Sequence, residues 1–301
     1  MSQSTDPSPL VRDWVRDAAQ AMDQAGLFFG HGTASAWDEA CWVVAWGLDM
    51  APNFSKAVGD RRISVDLVGR LDDVVERRIR TRQPMAYLLG EAWLGPLKFK
   101  VNSHALVPRS PLAELIGEGF APWVEIEAIR RVLDVGTGCG CLACLAAQTW
   151  PHLSVEAVDV SPEAVALAQE NVTRLRLDEQ VKIHLSDLFS ALDNQRFDVI
   201  MANPPYVPER TMETLPEEYG HEPKLGLAAG EDGLDVVIPL VQQAKSHLTP
   251  SGVLICEVGE AQPAFDAWAQ DHRLEITWLE FEHGGEGVFL AEASALAAVS
   301  P

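Results

Sequence analysis

From Arg131 onward, short apolar runs alternate with segments of helical period, an order that commits this part of the chain to a mostly parallel sheet with helices on its faces. Arg131-Val-Leu-Asp-Val135 reads as the first strand and Leu142 to Thr149 as a helix. Ser154 to Val158 reads as a second strand. Ser161-Pro162-Glu163 follows, a helix N-cap with proline at the first helical position, opening a helix to Leu175. Strands are expected at Val181–Leu185, Phe197–Ala202 and Val253–Glu257, with a helix near Leu234–Leu248. Ile276–Phe281 and Gly287–Ala291 read as a closing pair around His283-Gly284-Gly285. The expected fold is therefore an α/β, Rossmann-like sheet. Such open sheets bind ligands just outside the carboxyl ends of their strands, which makes the strand ends the place to look for chemistry.

Four strand ends carry informative residues. The first runs into Asp134-Val-Gly136-Thr137-Gly138-Cys139-Gly140, where three glycines let the backbone turn sharply and approach a ligand without a Cβ in the way. A dinucleotide fingerprint would have Gly or Ala at position 141; Cys141 stands there, and the spacing fits a tighter G-x-G-x-G loop with less room for a pyrophosphate. Asp159 ends the second strand, where a carboxylate can accept from both hydroxyls of a ribose. Asp187, in Ser186-Asp-Leu-Phe189, ends the third and can receive an adenine amino group, with Leu188 and Phe189 over the ring. Any one of these aspartates could equally be a loop cap. All three at successive strand ends point to a nucleoside cofactor.

The fourth strand ends in Asn203-Pro204-Pro205-Tyr206. The two prolines fix φ and remove two backbone donors, so the loop is stiff and its carbonyls are left to accept. An Asn side-chain oxygen beside a free carbonyl can hold both hydrogens of a substrate –NH2, and a Tyr ring two residues on can pack against a planar group. Taken alone, the tetrapeptide could also be a proline turn after a strand.

Ahead of the sheet, residues 1–90 have a helical period, with Val11, Trp14, Val15 and Ala18 on one face and Ala40, Val43, Val44 and Leu48 on another. Gly30-His-Gly-Thr33 and Asp49-Met-Ala-Pro-Asn53 punctuate these runs, and Trp37, Trp42 and Trp46 are expected in the core of a small helical domain. Residues 91–110 change to a period of two around Gly95-Pro96, which predicts a β-hairpin linker before the sheet domain of residues 111–301.

The 301 residues carry 23 Lys and Arg against 44 Asp and Glu, a formal net charge of −21 that repels naked nucleic acid unless a local basic patch intervenes, and that either attracts a basic protein or simply keeps the chain in solution. No apolar run is long enough for a membrane span, and the stretch Met1–Pro9 lacks the basic and apolar parts of a signal peptide. Five cysteines, three of them in Cys139-Gly-Cys141-Leu-Ala-Cys144, fit a reduced cytoplasmic protein. No second ligand pair completes a tetrahedral metal set there, so these cysteines are expected to pack where the loop enters a helix.

These features together resemble the class I S-adenosylmethionine-dependent methyltransferases, and within them the protein-glutamine N5-methyltransferases of the HemK group. The resemblance spans nearly the whole chain and adds Leu106-Val-Pro-Arg109 and Glu257-Val-Gly259 to the motifs above. It implies an antiparallel last strand in the sheet and a substrate-recognition role for the helical domain. It implies further that Gly136–Gly140 wrap the methionine part of the cofactor, Asp159 holds the ribose, Leu188 borders the adenine, and Asn203 to Tyr206 hold a glutamine amide. Many relatives carry Trp where Leu188 stands. Arg109-Ser-Pro111, Tyr219-Gly-His-Glu-Pro223, Leu225-Gly-Leu227 and Gly284-Gly-Glu-Gly-Val-Phe289 look like the branch acting on the basic large-subunit ribosomal protein L-three. Three other readings stay open from the residues: action on the Gly-Gly-Gln loop of release factors, N6-adenine methylation of nucleic acid, and a catalytically idle assembly factor. His221 and Glu222 are candidate bases, or alternatively residues that order the loop over the substrate.

Overall fold

The computed structural model describes residues 8–52, 54–282 and 284–299. The first seven residues, Asn53 and His283, which the sequence reading touched, lie outside them. Contacts divide the chain into two units, Met1–Ala92 with Pro216–His221, and Trp93–Leu215 with Glu222–Pro301. Two features differ from the boundaries expected from sequence. Most of the 91–110 linker clusters with the sheet unit, and a short piece of the 206–228 loop clusters with the helical one.

The first unit holds α1 (Val11–Gln24), α2 (Ala36–Gly47), α3 (Lys56–Gly59), α4 (Val65–Thr81) and α5 (Met85–Leu89). Ser35 and Ser64 cap α2 and α4, accepting from the amides of Asp38 and Leu67 at 3.2 and 3.3 Å. The apolar stripes of α1, α2 and α4 are buried, among them Val11, Trp14, Val15, Val43, Val44 and Leu71. Of the three tryptophans expected inside, only Trp42 is buried; Trp37 is 44% exposed with its edge toward Phe54, and Trp46 lies under the Arg70 guanidinium. At the centre is an ionic cluster. Arg78, with no exposure, donates to Glu39 at 3.1 and 3.3 Å, to the Phe28 carbonyl at 2.9 Å and to the Arg82 carbonyl at 3.0 Å, and lies 3.6 Å from Glu218. Glu218 also accepts from the Phe28 amide and Arg82, both at 2.9 Å.

Strands β1 (Glu91–Leu94) and β2 (Leu97–Lys100) make the expected hairpin, followed by α6 (Leu112–Gly117). The sheet is built from β3 (Arg131–Val135), β4 (Ser154–Asp159), β5 (Val181–Leu185), β6 (Phe197–Ala202), β7 (Leu248–Glu257), β8 (Thr277–Trp278) and β9 (Val288–Glu292), in the order β5-β4-β3-β6-β7-β9-β8. Each adjacent pair in the row β5-β4-β3-β6-β7 is parallel, and β9 runs antiparallel to β7 and β8. This is the mostly parallel sheet that the alternation specified, with the antiparallel last strand that the family resemblance implied. Helices α7 (Cys141–Thr149), α8 (Pro162–Leu175), α10 (Val237–Ala244) and α11 (Gln262–Asp271) cover its faces, and the short α9 (Glu209–Met212) follows the tetrapeptide. The α10 segment is shorter than its apolar pattern suggested: Pro239 fits only in a first turn, and Leu248 already pairs with Phe197 at the start of β7. Strand order reverses between β3 and β6, which fixes the ligand crevice outside the carboxyl ends of those two strands. No helix among the described residues is long and apolar enough to cross a membrane.

Candidate active site

A cavity of about 380 Å³ opens at this switch point, within the range of small-molecule sites. Its wall includes Gly136, Thr137, Gly138 and Cys139 beyond β3, Asp159 at the end of β4, Asp187 and Leu188 beyond β5, and Asn203, Pro204 and Pro205 beyond β6. Residues named from four separate strand ends thus share one space. Three sequence-predicted residues, Asp134, Gly140 and Tyr206, do not themselves line it.

The glycine loop is shaped by hydrogen bonds to its neighbours. The amides of Gly136 and Thr137 donate to the Val158 carbonyl at 2.9 and 3.0 Å, and the Gly138 amide donates to Asp159 Oδ2 at 2.8 Å. Gly140 has φ +81° at the start of α7, and a Cβ there would stand 3.1 Å from the Cβ of Ala168 on α8. Only glycine meets both demands, so the loop-to-helix turn depends on it. Cys139 and Cys144 are buried and Cys141 is half-buried; the Cys139 carbonyl accepts from Asn171 Nδ2 at 2.9 Å.

Asp134 Oδ2 accepts from the Thr137 hydroxyl at 2.7 Å and the Ala143 amide at 3.2 Å, while the buried Oδ1 has no hydrogen-bond partner among the described residues. Burial pushes this carboxyl up to about 7, helped by the charge of Asp159 and opposed by the two bonds to Oδ2. Asp159, half-buried, is raised as well, burial again leading, although its Oδ1 accepts from the Ser161 amide at 2.9 Å. Beyond β5, Asp187 is exposed. Leu188 takes φ +46°, a turn held by Ser186 Oγ, which donates to the Leu188 carbonyl at 2.9 Å and accepts from the Ala191 amide at 3.0 Å.

Beyond β6 the tetrapeptide presents a half-buried Asn203 and a buried Pro204. The Asn203 side chain makes no hydrogen bond with another described residue. Tyr206 was expected to lie against the substrate plane. Its ring is seated on Gly259, where a Cβ would fall 2.4 Å from ring atom Cε2, and its hydroxyl donates to Glu257 Oε1 at 2.8 Å. Glu222, one of the candidate bases, accepts from both Arg109 nitrogens at 2.7 and 2.6 Å and from the Val107 amide at 2.9 Å, so its lone pairs are engaged in ordering the loop. His221 bonds through Nε2 to the Thr81 carbonyl at 2.9 Å within the helical unit. Glu257 and Ser110, given no individual role from sequence, belong to this site through Tyr206.

A family model described as the methyltransferase small domain matches residues 120–216, which include the glycine loop and the tetrapeptide. Three relatives, each called ribosomal protein uL3 glutamine methyltransferase, are 41% identical to this chain. The one from Xanthomonas campestris aligns over 99% of this chain and 96% of its own, and that from Bordetella pertussis over 93% and 94%. The one from Burkholderia pseudomallei aligns over the full length of both. At that identity and coverage, the chain belongs to the uL3 glutamine methyltransferase family and is an enzyme of the methyltransferase class.

Proposed function

We propose that the enzyme transfers a methyl group from S-adenosylmethionine to the side-chain nitrogen of a glutamine in ribosomal protein uL3. The observation that carries this reading is that the free Asn203 carboxamide and the Pro204 residue share one cavity with the glycine loop and Asp159. The residues fit the cofactor. A Cβ at Gly136 would stand 3.8 Å from the Asn203 carbonyl oxygen, so the bare loop keeps open the space beside the tetrapeptide. The orphan Oδ1 of Asp134 suits the cationic amino-acid end, Asp159 suits the ribose, and Asp187 and Leu188 suit the adenine. When bound, S-adenosylmethionine supplies an electrophilic sulfonium methyl.

The chain's own work is to make an amide nitrogen attack. Its lone pair is delocalised into the carbonyl, so it is a poor nucleophile. Asn203 Oδ1 and the Pro204 carbonyl would accept the two amide hydrogens, raising electron density on nitrogen and fixing where its lone pair points. Orientation of this kind contributes on the order of 7–11 kcal/mol in favourable cases. Committed to Arg109, Glu222 is not set to act as a base, and the proton would leave to water after transfer. The helical unit is assigned to substrate recognition. The excess of acid over base suits a basic ribosomal protein, and the cytoplasm is where such a substrate is made.

The test is to incubate the enzyme with labelled S-adenosylmethionine and separately purified uL3, release factor and RNA. Label on a glutamine of uL3 is expected. Label on release factor or RNA alone would overturn the reading.

Two further outcomes probe the cofactor contacts. Asp159→Ala removes the ribose acceptors and also the anchor of the Gly138 amide, so cofactor affinity should weaken by about 1.5–3 kcal/mol. Unchanged affinity in calorimetry would remove Asp159 from the site. For Asp134, a carboxyl that titrates near 7 in the free protein is partly protonated at neutral pH. A cationic ligand group favours the ionised form and lowers that value. Affinity should therefore rise as pH increases through 7 and level off above it, with a proton released on binding at lower pH. Calorimetry in two buffers of different ionisation heat counts that proton, and Asp134→Asn should abolish it. Affinity that does not change across this range would leave Asp134 a loop anchor only.

A further inference from the structure

A second carboxylate stands at the level of the substrate grip. The parallel register pairs Ala202 of β6 with Cys256 of β7, so Asn203 and Glu257 leave their strands side by side. Glu257 is 6% exposed and sits in neither the cofactor contacts nor the substrate grip. Its two oxygens are divided between two hydroxyls: Oε1 accepts from Tyr206 at 2.8 Å and Oε2 from Ser110 at 2.7 Å. Ser110 Oγ in turn accepts from the Leu112 amide at 3.2 Å, which fixes the direction of its proton toward Glu257. The next carboxylate along, Glu222, ties Arg109 and the Val107 amide to the substrate loop.

Burying a carboxylate is unfavourable, and burial raises the Glu257 carboxyl despite the two hydroxyls and the nearby Arg109 charge. A group kept there at that cost has something to hold. Everything around Tyr206 is equally constrained. Its ring lies on Gly259, and its carbonyl passes so close to Gly233 that a Cβ there would stand 2.3 Å away. The tyrosine is two residues from Pro204 on a chain stiffened by two prolines, so a rotation at Tyr206 is passed to the Pro204 carbonyl.

Resting on the function proposed above, we propose that Glu257 is a positioning residue for methyl transfer, anchoring Tyr206 and Ser110 so that Asn203 and the Pro204 carbonyl hold the substrate carboxamide in line. It acts through Tyr206 and not by touching substrate. Its effect therefore belongs in kcat, since a misaimed amide still binds but reacts slowly.

The test uses the full-length enzyme with uL3 and compares wild type, Glu257→Gln, Tyr206→Phe and the double variant. Glutamine offers one acceptor oxygen to two hydroxyls, and phenylalanine removes one hydroxyl while keeping the ring. We expect Glu257→Gln to lower kcat by about tenfold or more, and Tyr206→Phe by about threefold or more, with KM for uL3 and cofactor affinity within about threefold of wild type. The double variant should be no slower than Glu257→Gln, because both changes break one link. A kcat within about twofold of wild type in Glu257→Gln overturns the proposal, as does a loss confined to KM or cofactor affinity, or single losses that multiply in the double variant. Should Glu257→Gln fail to fold, an undiminished kcat in Tyr206→Phe overturns it alone. Wild type that leaves uL3 glutamine unmethylated would instead reject the reading of substrate, which separates the two failures.

Discussion

Replacing Arg78 by alanine is expected to lower unfolding free energy by about 3–5 kcal/mol, among the largest effects available to a single residue here. The guanidinium sits with no exposure between Glu39 and Glu218, themselves almost wholly buried, and it donates two buried hydrogen bonds to Glu39 and two partly buried ones to the carbonyls of Phe28 and Arg82. Burial raises the Glu39 carboxyl even with Arg78 beside it, so desolvation outweighs the pairing at that position. Alanine would leave Glu39 without its cation and Glu218 with Arg82 alone, and would remove a donor from the carbonyls of Phe28 and Arg82. Lysine should not rescue it, since one ammonium cannot reproduce the planar fork that meets Glu39 through two nitrogens. Replacing Arg78, Glu39 and Glu218 together by methionine should recover much of the loss, because the penalty lies in the uncompensated charges. Denaturant unfolding of the three variants beside wild type is the measurement. A midpoint for Arg78→Ala close to wild type would mean that water reaches the cluster.

The same cluster shows where sequence reasoning stops. Arg78 lies in Arg77-Arg78-Ile79-Arg80, a stretch that reads as the solvated face of a helix, and its partners are 39 and 140 residues away. Nothing local marks one arginine of three as buried. The strands, by contrast, were legible because their runs are buried on both faces: Val132, Leu133, Val135 and Val199 to Ala202 are all inside. A parallel sheet then fixes which ends of those strands carry the site, and the glycine loop, Asp159, Asp187 and Asn203 followed from that rule alone. Tyr206 was read without its anchors. Its direction is set by Gly259 and Glu257, more than 50 residues on, and a side-chain rotamer chosen by distant packing leaves no local signal. Trp37 failed for a similar reason: helical spacing selects a face, but which residue at the margin of that face is covered depends on the neighbouring loop.

Asn203→Ala should reduce turnover on the glutamine substrate by two decades or more, about 2.7 kcal/mol at least, while the protein folds and keeps most of its cofactor affinity. The reasons for the second half are structural. The side chain is half-buried and makes no hydrogen bond with another described residue, so removing it leaves no buried group unpaired. The prolines, β6 and the glycine loop stay as they are, and Gly136 approaches the backbone of Asn203 and Pro204, not the amide that is lost. The reasons for the first half are chemical. With the Oδ1 acceptor gone, only the Pro204 carbonyl remains to hold the –NH2, so the nitrogen can turn about its single remaining bond and its lone pair loses its aim. Substituting aspartate tests the same grip from the other side. It keeps the size and an acceptor, but adds a negative charge beside the positively charged sulfonium, which disappears as the methyl leaves. Such a charge stabilises the ground state more than the transition state, so Asn203→Asp should also be slow, with cofactor affinity equal to wild type or tighter. Single-turnover kinetics with saturating cofactor separate these effects from binding. An alanine variant with near-normal turnover would reduce the tetrapeptide to a stiff turn after β6, and the search for the amide-binding group would move to Val107 to Ser110, which also line the cavity.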